Sequence, residues 1–503
     1  MRYLSLVLSS SLLAGCIWEP ASGTEQENTA SISLYGWATD KLVQIDLKAR
    51  NYDTGALDPI TSALSTSTDV FGDGMYNWAA TLTPAQLPRK YWAPTIVGGN
   101  PAGRLELSGF QGTSALYTFT DAAQHCTIDA MDLGETQPNA GLACSDGFKT
   151  VLFDNTGVGL AAEPLTYTTL VNKTLDGVNI KVISHLSQGN TVYAAICSPL
   201  AGSGLPISLY NHGGGLGINV PDAMGNPTSL ETTWCVDWAK KGWVFAMSSY
   251  RGEPLRVPTT WSAAPTSWTS TGAVETNLGE VNDAMRLLAI VQAMANVNTA
   301  HTLMWGPSHG GGITLRAIER GARVQAAIAS FPATDWALLY NDCITTTMNA
   351  PASLEGQFCA IVTAGLQTVT GGTPATRAAA YQWRSPTYFA SDLKLRPDVK
   401  LLLQQGIADP IVRVGQTCSF ATQAGFPPET QWHVPNNLTP GSFVTGTVAG
   451  CPQVWKNSAR PTTTWPANRY FMAYDNLAHA YWDAMTVDFL NFVNSLAWSP
   501  TPW

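Results

Sequence analysis

The hexapeptide GPSHGG at residues 306–311 constrains the fold of this chain more than any other segment. A short apolar run at residues 303–305 precedes it and predicts a buried strand, and apolar residues at helical spacing follow it. A serine at the tip of so sharp a strand-to-helix turn requires glycine on both sides, because a side chain there would collide with neighbouring backbone. The segment therefore predicts a nucleophile elbow, which holds the Ser308 hydroxyl clear of a sheet.

A second glycine-rich segment, HGGG at residues 212–215, directly follows a predicted strand at residues 206–210. Backbone without side chains can approach a substrate closely and offer its N–H groups. Upstream of a nucleophile elbow, this position supplies one half of an oxyanion hole, and the residue after the nucleophile supplies the other half. We therefore predict that Gly213, Gly214 and His309 donate N–H groups to a developing negative charge.

A serine hydroxyl becomes a good nucleophile only when a histidine takes its proton and a carboxylate orients that histidine. After an elbow of this kind the acid comes next in the chain and the histidine last. His479 lies in a loop shortly before a predicted C-terminal helix and is the predicted base. His309 on the elbow and His433 in a predicted loop rich in Pro and Asn are less suitable.

The predicted acid is Asp409, because it lies just past a predicted strand at residues 399–403. The carboxyl end of such a strand is where a triad acid is needed. Asp475 is the alternative acid, and capping of a loop is its structural explanation. Asp335 follows the strand after the elbow and is predicted to cap the N-terminus of a helix.

Strand and helix signals alternate along the second part of the chain, from residue 165 to residue 503. Short, fully apolar strands suit a sheet that is covered on both faces. They are predicted at residues 206–210, 243–247, 303–305, 324–330 and 399–403, after a pair of strands at residues 178–184 and 191–197. This alternation predicts an α/β fold with a mainly parallel sheet flanked by helices, and the elbow specifies an α/β-hydrolase fold.

Residues 31–160 are predicted to form a separate β-rich domain ahead of the hydrolase domain. Apolar and polar residues alternate at residues 43–49, so that one face of this strand meets a core and the other meets water. Further strands are predicted at residues 32–35, 78–82, 105–107 and 116–119. Such spacing is typical of a small all-β sandwich, for which we infer an immunoglobulin-like topology and a disulfide-bearing extension after residue 120.

The first 30 residues resemble a targeting segment followed by a polar tether. Arg2 and an apolar stretch lead into LAGC at residues 13–16, which resembles a bacterial lipobox. The apolar stretch is too short to span a bilayer of roughly 30 Å as a helix. We expect a lipoprotein signal peptide at residues 1–15, lipid attachment at Cys16 and a tether at residues 16–30, with an ordinary secretory signal as the alternative.

These features predict a location in the bacterial cell envelope, outside the cytoplasm. The expected membrane contact is the N-terminal lipid anchor, and without the lipid the protein would be secreted. Ile17 rather than aspartate follows the cysteine, so the outer membrane is the expected destination in a Gram-negative cell.

Composition is consistent with that location and excludes some partners. Only 13% of the residues are charged and the net charge is -9, which argues against nucleic acid as a partner. The cysteines other than Cys16 are even in number, which suits disulfides in an oxidising compartment. Pairing of neighbours along the chain would join Cys126 with Cys144, Cys197 with Cys235, Cys343 with Cys359, and Cys418 with Cys451. No spacing is typical of a zinc site, and we predict neither a metal nor a cofactor.

Several of these motifs resemble the catalytic domain of the prolyl oligopeptidase family. The resemblance is carried by GPSHGG at 306–311, YRG at 250–252, SPTY at 385–388, and the segment from Gly406 to Asp409 with Val412. It extends over residues 165–503 and implies a serine peptidase whose triad is Ser308, Asp409 and His479.

Three features differ from that family. The roughly 130 residues between tether and hydrolase domain are too few for the β-propeller that usually gates access to peptides. The family's second oxyanion donor is commonly a tyrosine hydroxyl, whereas HGGG at 212–215 is more similar to carboxylesterases. Long insertions at residues 341–380 and 418–451 separate the triad members and would lie above the carboxyl ends of the strands, as lids do.

The sequence therefore predicts an enzyme, a serine hydrolase that works through an acyl-enzyme on short peptides or small esters. A peptidase similar to prolyl oligopeptidases is the leading prediction, and a carboxylesterase is the alternative. A catalytically silent binding module is a third hypothesis, which the presence of all three triad residues disfavours.

Overall fold

The computed structural model describes residues 165–503, except for residues 188–189, 215–216, 220–229, 259–260, 262–265, 278, 320–321, 377–380, 382–383 and 482, together with nine strands between residues 32 and 154. The predicted signal peptide, Cys16 and the predicted tether lie outside the described residues, as does the strand predicted at residues 116–119.

The nine N-terminal strands pair in antiparallel fashion into two sheets. Their bounds are β1 (Ile32–Ala38), β2 (Gln44–Arg50), β3 (Leu57–Leu64), β4 (Tyr76–Leu82), β5 (Trp92–Val97), β6 (Asn100–Gln111), β7 (Cys126–Ala130), β8 (Ala140–Cys144) and β9 (Phe148–Asp154). One sheet has the order β4-β1-β9, and the other has the order β3-β2-β6-β7-β8 with β5 paired to β6. Cys126 and Cys144 are opposite each other in the register of β7 and β8. The sandwich, its topology and the domain boundaries stay predictions.

A ten-stranded sheet organises the rest of the chain. Its strands are β10 (Tyr167–Leu175), β11 (Val178–Ser187), β12 (Asn190–Pro199), β13 (Leu205–Tyr210), β15 (Val244–Ser248), β18 (Val297–Pro307), β19 (Ala326–Ser330), β20 (Lys400–Gly406), β21 (Gln431–Val434) and β22 (Arg469–Tyr474). The spatial order is β10-β11-β12-β15-β13-β18-β19-β20-β22-β21. Pairing is antiparallel from β10 to β15 and parallel from β15 onward. Three short strands, β14 (Ile218–Asn219), β16 (Pro254–Arg256) and β17 (Ser267–Thr269), form a small separate sheet.

Helices cover both faces of this sheet. The α-helices are α1 (Leu230–Lys240), α2 (Gly279–Gln292), α3 (Ser308–Glu319), α4 (Trp336–Asn349), α5 (Leu354–Thr370), α6 (Val414–Gln423) and α7 (Asp483–Ser495), and 3-10 helices occur at Pro386–Leu395 and Pro428–Thr430. The predicted fold class, a mainly parallel sheet between helices, is confirmed.

Successive side chains of a strand point to opposite faces of the sheet, which explains why this one sheet has an apolar layer on each face. Met304 of β18 packs into the layer that α2 and α3 cover, whereas its neighbour Trp305 packs into the layer that α1 and α7 cover. The Trp305 ring centroid lies 5.6 Å from that of Trp238 in α1 and 4.9 Å from that of Phe489 in α7. Because successive side chains of a strand point to opposite faces, a fully apolar strand is buried on both sides.

Three disulfides join the cysteine pairs suggested by proximity along the chain. They link Cys197 with Cys235, Cys343 with Cys359, and Cys418 with Cys451. The second of these connects α4 to α5, within the segment that the sequence suggested as a lid. Within the described part of the chain, no helix combines the length and the apolar character needed to cross a membrane.

Candidate active site

Ser308 occupies the tight turn between β18 and α3. Its φ is +54°, a left-handed conformation that residues other than glycine rarely adopt. A Cβ atom added to Gly306 or Gly310 would come closer than 3.0 Å to the carbonyl oxygen of Asn211. Asn211 lies this close because β13 continues alongside the elbow, where its N–H donates a 2.8 Å hydrogen bond to the Trp305 carbonyl. The turn therefore needs both glycines, and the strained backbone presents the serine hydroxyl at the carboxyl edge of the sheet.

The structure brings Ser308, His479 and Asp409 together, although they are far apart in the chain. His479 Nε2 lies 2.9 Å from Ser308 Oγ, and His479 Nδ1 lies 2.7 Å from Asp409 Oδ2. The Asp409 side chain is fully buried, and the His479 side chain is 19% exposed. The imidazole thus bridges a hydroxyl that faces the surface and a carboxylate that is shielded from water.

Hydrogen bonds fix the Asp409 carboxylate in the turn after β20. Its Oδ1 accepts the N–H groups of Ile411 and Val412, each at 2.9 Å. Its Oδ2 accepts the Gln405 side-chain amide at 3.2 Å in addition to the contact with His479. With its lone pairs satisfied, the carboxylate has one orientation, which suits a group that must orient an imidazole.

The alternative acid, Asp475, lies next to a different histidine. Its Oδ1 is 3.5 Å from His433 Nε2. His433 itself lies in β21 and is buried, so the loop predicted there is wrong. The strand was not predicted because the Pro and Asn residues that directly follow it in the sequence are strong turn signals.

The segment predicted as an oxyanion loop lies beside the nucleophile. A Cβ atom added to Gly213 would be 3.4 Å from Ser308 Cβ and 3.1 Å from the Pro307 carbonyl oxygen. Gly214 has a φ of +68°, which glycine adopts without strain. His309, the third predicted donor, is the second residue of α3, where backbone N–H groups have no partner within the helix. Gly213 and His309 therefore lie next to Ser308, and Gly214 follows Gly213 in the same loop.

Aromatic side chains that sequence reasoning missed flank the histidine. The Phe331 ring lies edge-on to the His479 ring, with 4.6 Å between centroids, and the Tyr481 ring lies 5.2 Å from Phe331. Phe331 directly follows β19 and has a φ of +38°. No local sequence signal marks an aromatic residue in that conformation, because the contact that holds it comes from the other end of the chain.

A buried cluster of charged side chains lies beneath the elbow. The imidazole of His309 contacts the carboxylate of Glu280, with 2.8 Å between Nε2 and Oε2. Burial alone would raise the pKa of Glu280, yet the charge and hydrogen bond of His309 hold it at about 2. Burial would lower the pKa of His309, and the Glu280 carboxylate raises it instead. These two side chains form an ion pair in the interior.

A second histidine and carboxylate lie close to this ion pair, and burial favours the neutral form of each. His212 Nε2 is 3.4 Å from Glu253 Oε2, and both side chains are 1% exposed. Burial, followed by the charge of His309, lowers the pKa of His212 to about 4. Burial, followed by the charge of Glu280, raises the pKa of Glu253 to about 8. The signal that sequence reasoning overlooked is the occurrence of two acidic residues, Glu280 and Asp283, in a helix whose other residues are mostly apolar.

The YRG motif at residues 250–252 has a structural role. Arg251 is buried and donates to both oxygens of Asp283 in α2, at 2.8 and 3.1 Å, and to Glu275 at 3.2 Å. These bonds connect the end of β15 to α2, the helix that also carries Glu280.

Among the described residues, no group of three or more His, Cys, Asp or Glu side chains could hold a metal ion.

The fold and the elbow define the class of protein: this chain is a serine hydrolase with an α/β-hydrolase fold. Residues 230–425 match the model of the prolyl oligopeptidase family, the family that the sequence motifs resemble. No curated protein matches this chain in sequence.

Solved structures similar to this chain include esterases and a peptidase. An acetyl xylan esterase from Paenibacillus sp. R4 is 14% identical, with 67% of this chain and 90% of that chain covered and a TM-score of 0.40. An esterase from Pyrobaculum calidifontis is 16% identical, with 67% and 83% covered and a TM-score of 0.36. A puromycin-hydrolyzing peptidase from Mycobacterium tuberculosis is 14% identical, with 89% and 64% covered and a TM-score of 0.41.

Proposed function

We propose that this protein hydrolyses short peptides or small esters through a Ser-Asp-His triad and an acyl-enzyme. The proposal rests on the position of the His479 imidazole between the other two residues. Its Nε2 lies 2.9 Å from Ser308 Oγ, and its Nδ1 lies 2.7 Å from Asp409 Oδ2. The strained backbone at Ser308 and the buried, hydrogen-bonded Asp409 support it.

In the first half of the reaction, Ser308 Oγ attacks the substrate carbonyl while His479 Nε2 takes its proton. Asp409 stabilises the imidazolium that forms. The N–H groups of His309 and of the Gly213–Gly214 region bind the oxyanion, and one such donor is worth roughly 2.7–4 kcal/mol. His479 then protonates the leaving amine or alcohol, which departs and leaves the acyl group on Ser308.

In the second half, water attacks the acyl-enzyme and His479 again takes the proton. The new oxyanion forms in the same hole, and its collapse releases the acid as His479 returns the proton to Ser308 Oγ. The proposed sites therefore account for both halves of the cycle without another reactive group.

A peptidase is the leading proposal because residues 230–425 match the prolyl oligopeptidase family. A carboxylesterase is the second candidate, because glycines rather than a tyrosine lie beside the nucleophile at residues 213–214. Amides need a protonated leaving group more than activated esters do, so substrate comparison separates the two.

The test is labelling and turnover by the purified protein. We expect a fluorophosphonate probe to label the wild type and not the Ser308→Ala variant. p-Nitrophenyl esters and aminoacyl or dipeptidyl anilides would then be assayed side by side. Turnover of esters without any anilide cleavage overturns the peptidase proposal in favour of the esterase. Absence of labelling in a folded wild type overturns the enzyme mechanism and favours the binding module.

We also propose that Cys16 carries the lipid that holds the protein at the cell envelope. Its support is the LAGC segment at residues 13–16. Metabolic labelling with an alkyne fatty acid tests it, because Cys16→Ser should abolish incorporation. Equal incorporation in both proteins would refute the lipid site.

A further inference from the structure

The His309 side chain has a position that the proposed triad does not use. The side chain is 10% exposed and lies between the helix that carries Glu280 and the loop that carries Gly214. Its Nε2 is 2.8 Å from Glu280 Oε2, and its Nδ1 is 3.5 Å from the Gly214 carbonyl oxygen. The ring therefore lies between α2 and the loop predicted to form half of the oxyanion hole.

We propose that the His309 imidazolium is a positioning residue that clamps the Gly214 carbonyl and so aligns the two halves of the oxyanion hole. The inference rests on the proposed function, because it assigns the role of a side chain within that site. The backbone N–H of His309 belongs to one half of the hole, and its ring contacts the backbone that forms the other half. A single residue thereby sets the spacing between the two sets of donors.

The clamp requires the doubly protonated ring. His309 Nε2 lies within ion-pair distance of the Glu280 carboxylate, and Nδ1 lies near the Gly214 carbonyl oxygen. Only an imidazolium has both the positive charge for the first contact and an N–H at each nitrogen. The Glu280 carboxylate is held in place by the N–H groups of Thr276 at 3.0 Å and Asn277 at 2.6 Å. The 3.5 Å contact to Gly214 is long, as hydrogen bonds in substrate-free sites often are, and it would shorten when an oxyanion orders the loop.

Charged and titratable side chains surround His309 and affect the protonation of its ring. Glu280 favours the imidazolium, and Asp283, deeper in α2, is paired with Arg251. An ionised Glu253 also favours the imidazolium form of His309, and a protonated His212 would disfavour it. The rings of Tyr250 and Trp336 lie 6.2 and 5.6 Å from that of His309, and the Tyr250 hydroxyl stays neutral because burial raises its pKa.

The clamp predicts a specific dependence of turnover on pH. Above the raised pKa of His309 the ring loses its charge, and with it the ion pair with Glu280 that holds the ring against the Gly214 carbonyl. Catalysis of the bound substrate should then weaken while substrate binding does not. We therefore expect kcat to fall on the alkaline side of its optimum with little change in KM.

Two variants of Glu280 test this prediction with the same hydrolysis assay. Glu280→Gln removes the charge that keeps His309 protonated, so kcat should drop about tenfold and the alkaline fall should move to lower pH. Glu280→Asp keeps a carboxylate and should retain the alkaline fall near its original pH. A merely structural role of Glu280 would lower stability without displacing the pH profile.

His309→Gln provides an independent test in case the Glu280→Gln variant fails to fold. It cannot titrate, so the alkaline fall attributed to His309 should disappear, and a lower kcat that stays level at alkaline pH should remain. His301→Gln is the matched control, because His301 stacks on Trp498 outside the site. That control should keep the profile of the wild type.

Glu253→Gln separates the clamp from the neighbouring carboxyl group. If Glu253→Gln abolishes the alkaline fall while Glu280→Gln and His309→Gln leave it in place, the clamp is refuted. Unchanged profiles in all three variants refute it too. Nitrogen-15 resonances of His309 report ring protonation without turnover, and in Glu280→Gln they should show loss of the imidazolium at a lower pH than in the wild type. An inactive wild type would therefore refute the proposed function, whereas a His309 ring that titrates at the same pH in the wild type and in Glu280→Gln would refute the clamp alone.

Discussion

At the scale of single residues, the site depends on where a side chain is forbidden as much as on where one is present. The carbonyl of Asn211 fills the space in which Gly306 and Gly310 would carry a Cβ atom. The same close packing holds Ser308 in its left-handed conformation, with a φ of +54°. Such strain persists only because the surrounding structure determines it, and here it directs the hydroxyl toward His479.

Gly310→Ala tests this packing. Alanine normally stabilises a helix relative to glycine by roughly 0.5–1 kcal/mol. At position 310 the added methyl group meets backbone, so we expect a loss of about 1–3 kcal/mol in the free energy of unfolding and a large loss of turnover.

Gly365→Ala is the matched control for that substitution. Gly365 also lies within a helix, α5, and nothing lies within 4 Å of an added Cβ atom. Denaturant unfolding should show stabilisation or no change at 365 and destabilisation at 310. The same sign at both positions would contradict the packing argument.

At the scale of secondary structure, the site residues follow from where elements begin and end. Ser308 begins α3, Asp409 follows β20, and His479 lies between β22 and α7. Asp335 caps the N-terminus of α4, as the sequence predicts, and its Oδ1 accepts the N–H groups of Ala337 at 3.0 Å and Leu338 at 2.9 Å. The cap holds a helix whose first residue, Trp336, contacts His309.

Removal of this cap should lower stability. Asp335→Ala leaves two N–H groups without their acceptor, and we expect it to cost about 1 kcal/mol of unfolding free energy. Asp335→Asn keeps a side-chain oxygen that caps almost as well, so its unfolding midpoint should stay close to that of the wild type. Equal losses in the two variants would mean that the charge of Asp335, and not the cap, is what matters.

At the scale of the whole molecule, the buried cluster beneath the elbow makes stability depend on pH. The pKa of Glu253 is raised by burial to about 8 from an ordinary 4.5. Between those values the folded protein keeps a proton that the unfolded chain has released, so the stabilising contribution declines as pH rises toward 8. His212 has the opposite sign, because its pKa is lowered from 6.5 to about 4 and its contribution is lost only below pH 6.5.

We therefore expect stability to fall between pH 6.5 and pH 8, where Glu253 still titrates and His212 no longer does. Glu253→Gln should flatten this fall, measured as unfolding free energy at several pH values. Glu429→Gln, at an exposed carboxyl group, is the control and should leave the slope unchanged. An identical slope in wild type and Glu253→Gln would exclude Glu253 as its source.

Much of this architecture could be predicted from local sequence, for a physical reason. Hydrophobic periodicity and turn chemistry act over a few residues, so GPSHGG at residues 306–311 predicts its own strand, turn and helix. The predicted strands at 206–210 and 243–247 lie within one residue of β13 and β15. The alternation of such elements was enough to predict the α/β sheet.

Local sequence could not predict contacts between distant residues. His433 and His479 both follow the elbow in the chain, yet only the folded sheet brings the second within 2.9 Å of a serine 171 positions away. The pairing of His309 with Glu280 and the contact of Phe331 with His479 arise in the same way. The sequence by itself determined the elements and the order of the candidate triad, because these follow from neighbours along the chain. Tertiary packing decided which side chains meet and which are charged, because burial and partners exist only once distant segments come together.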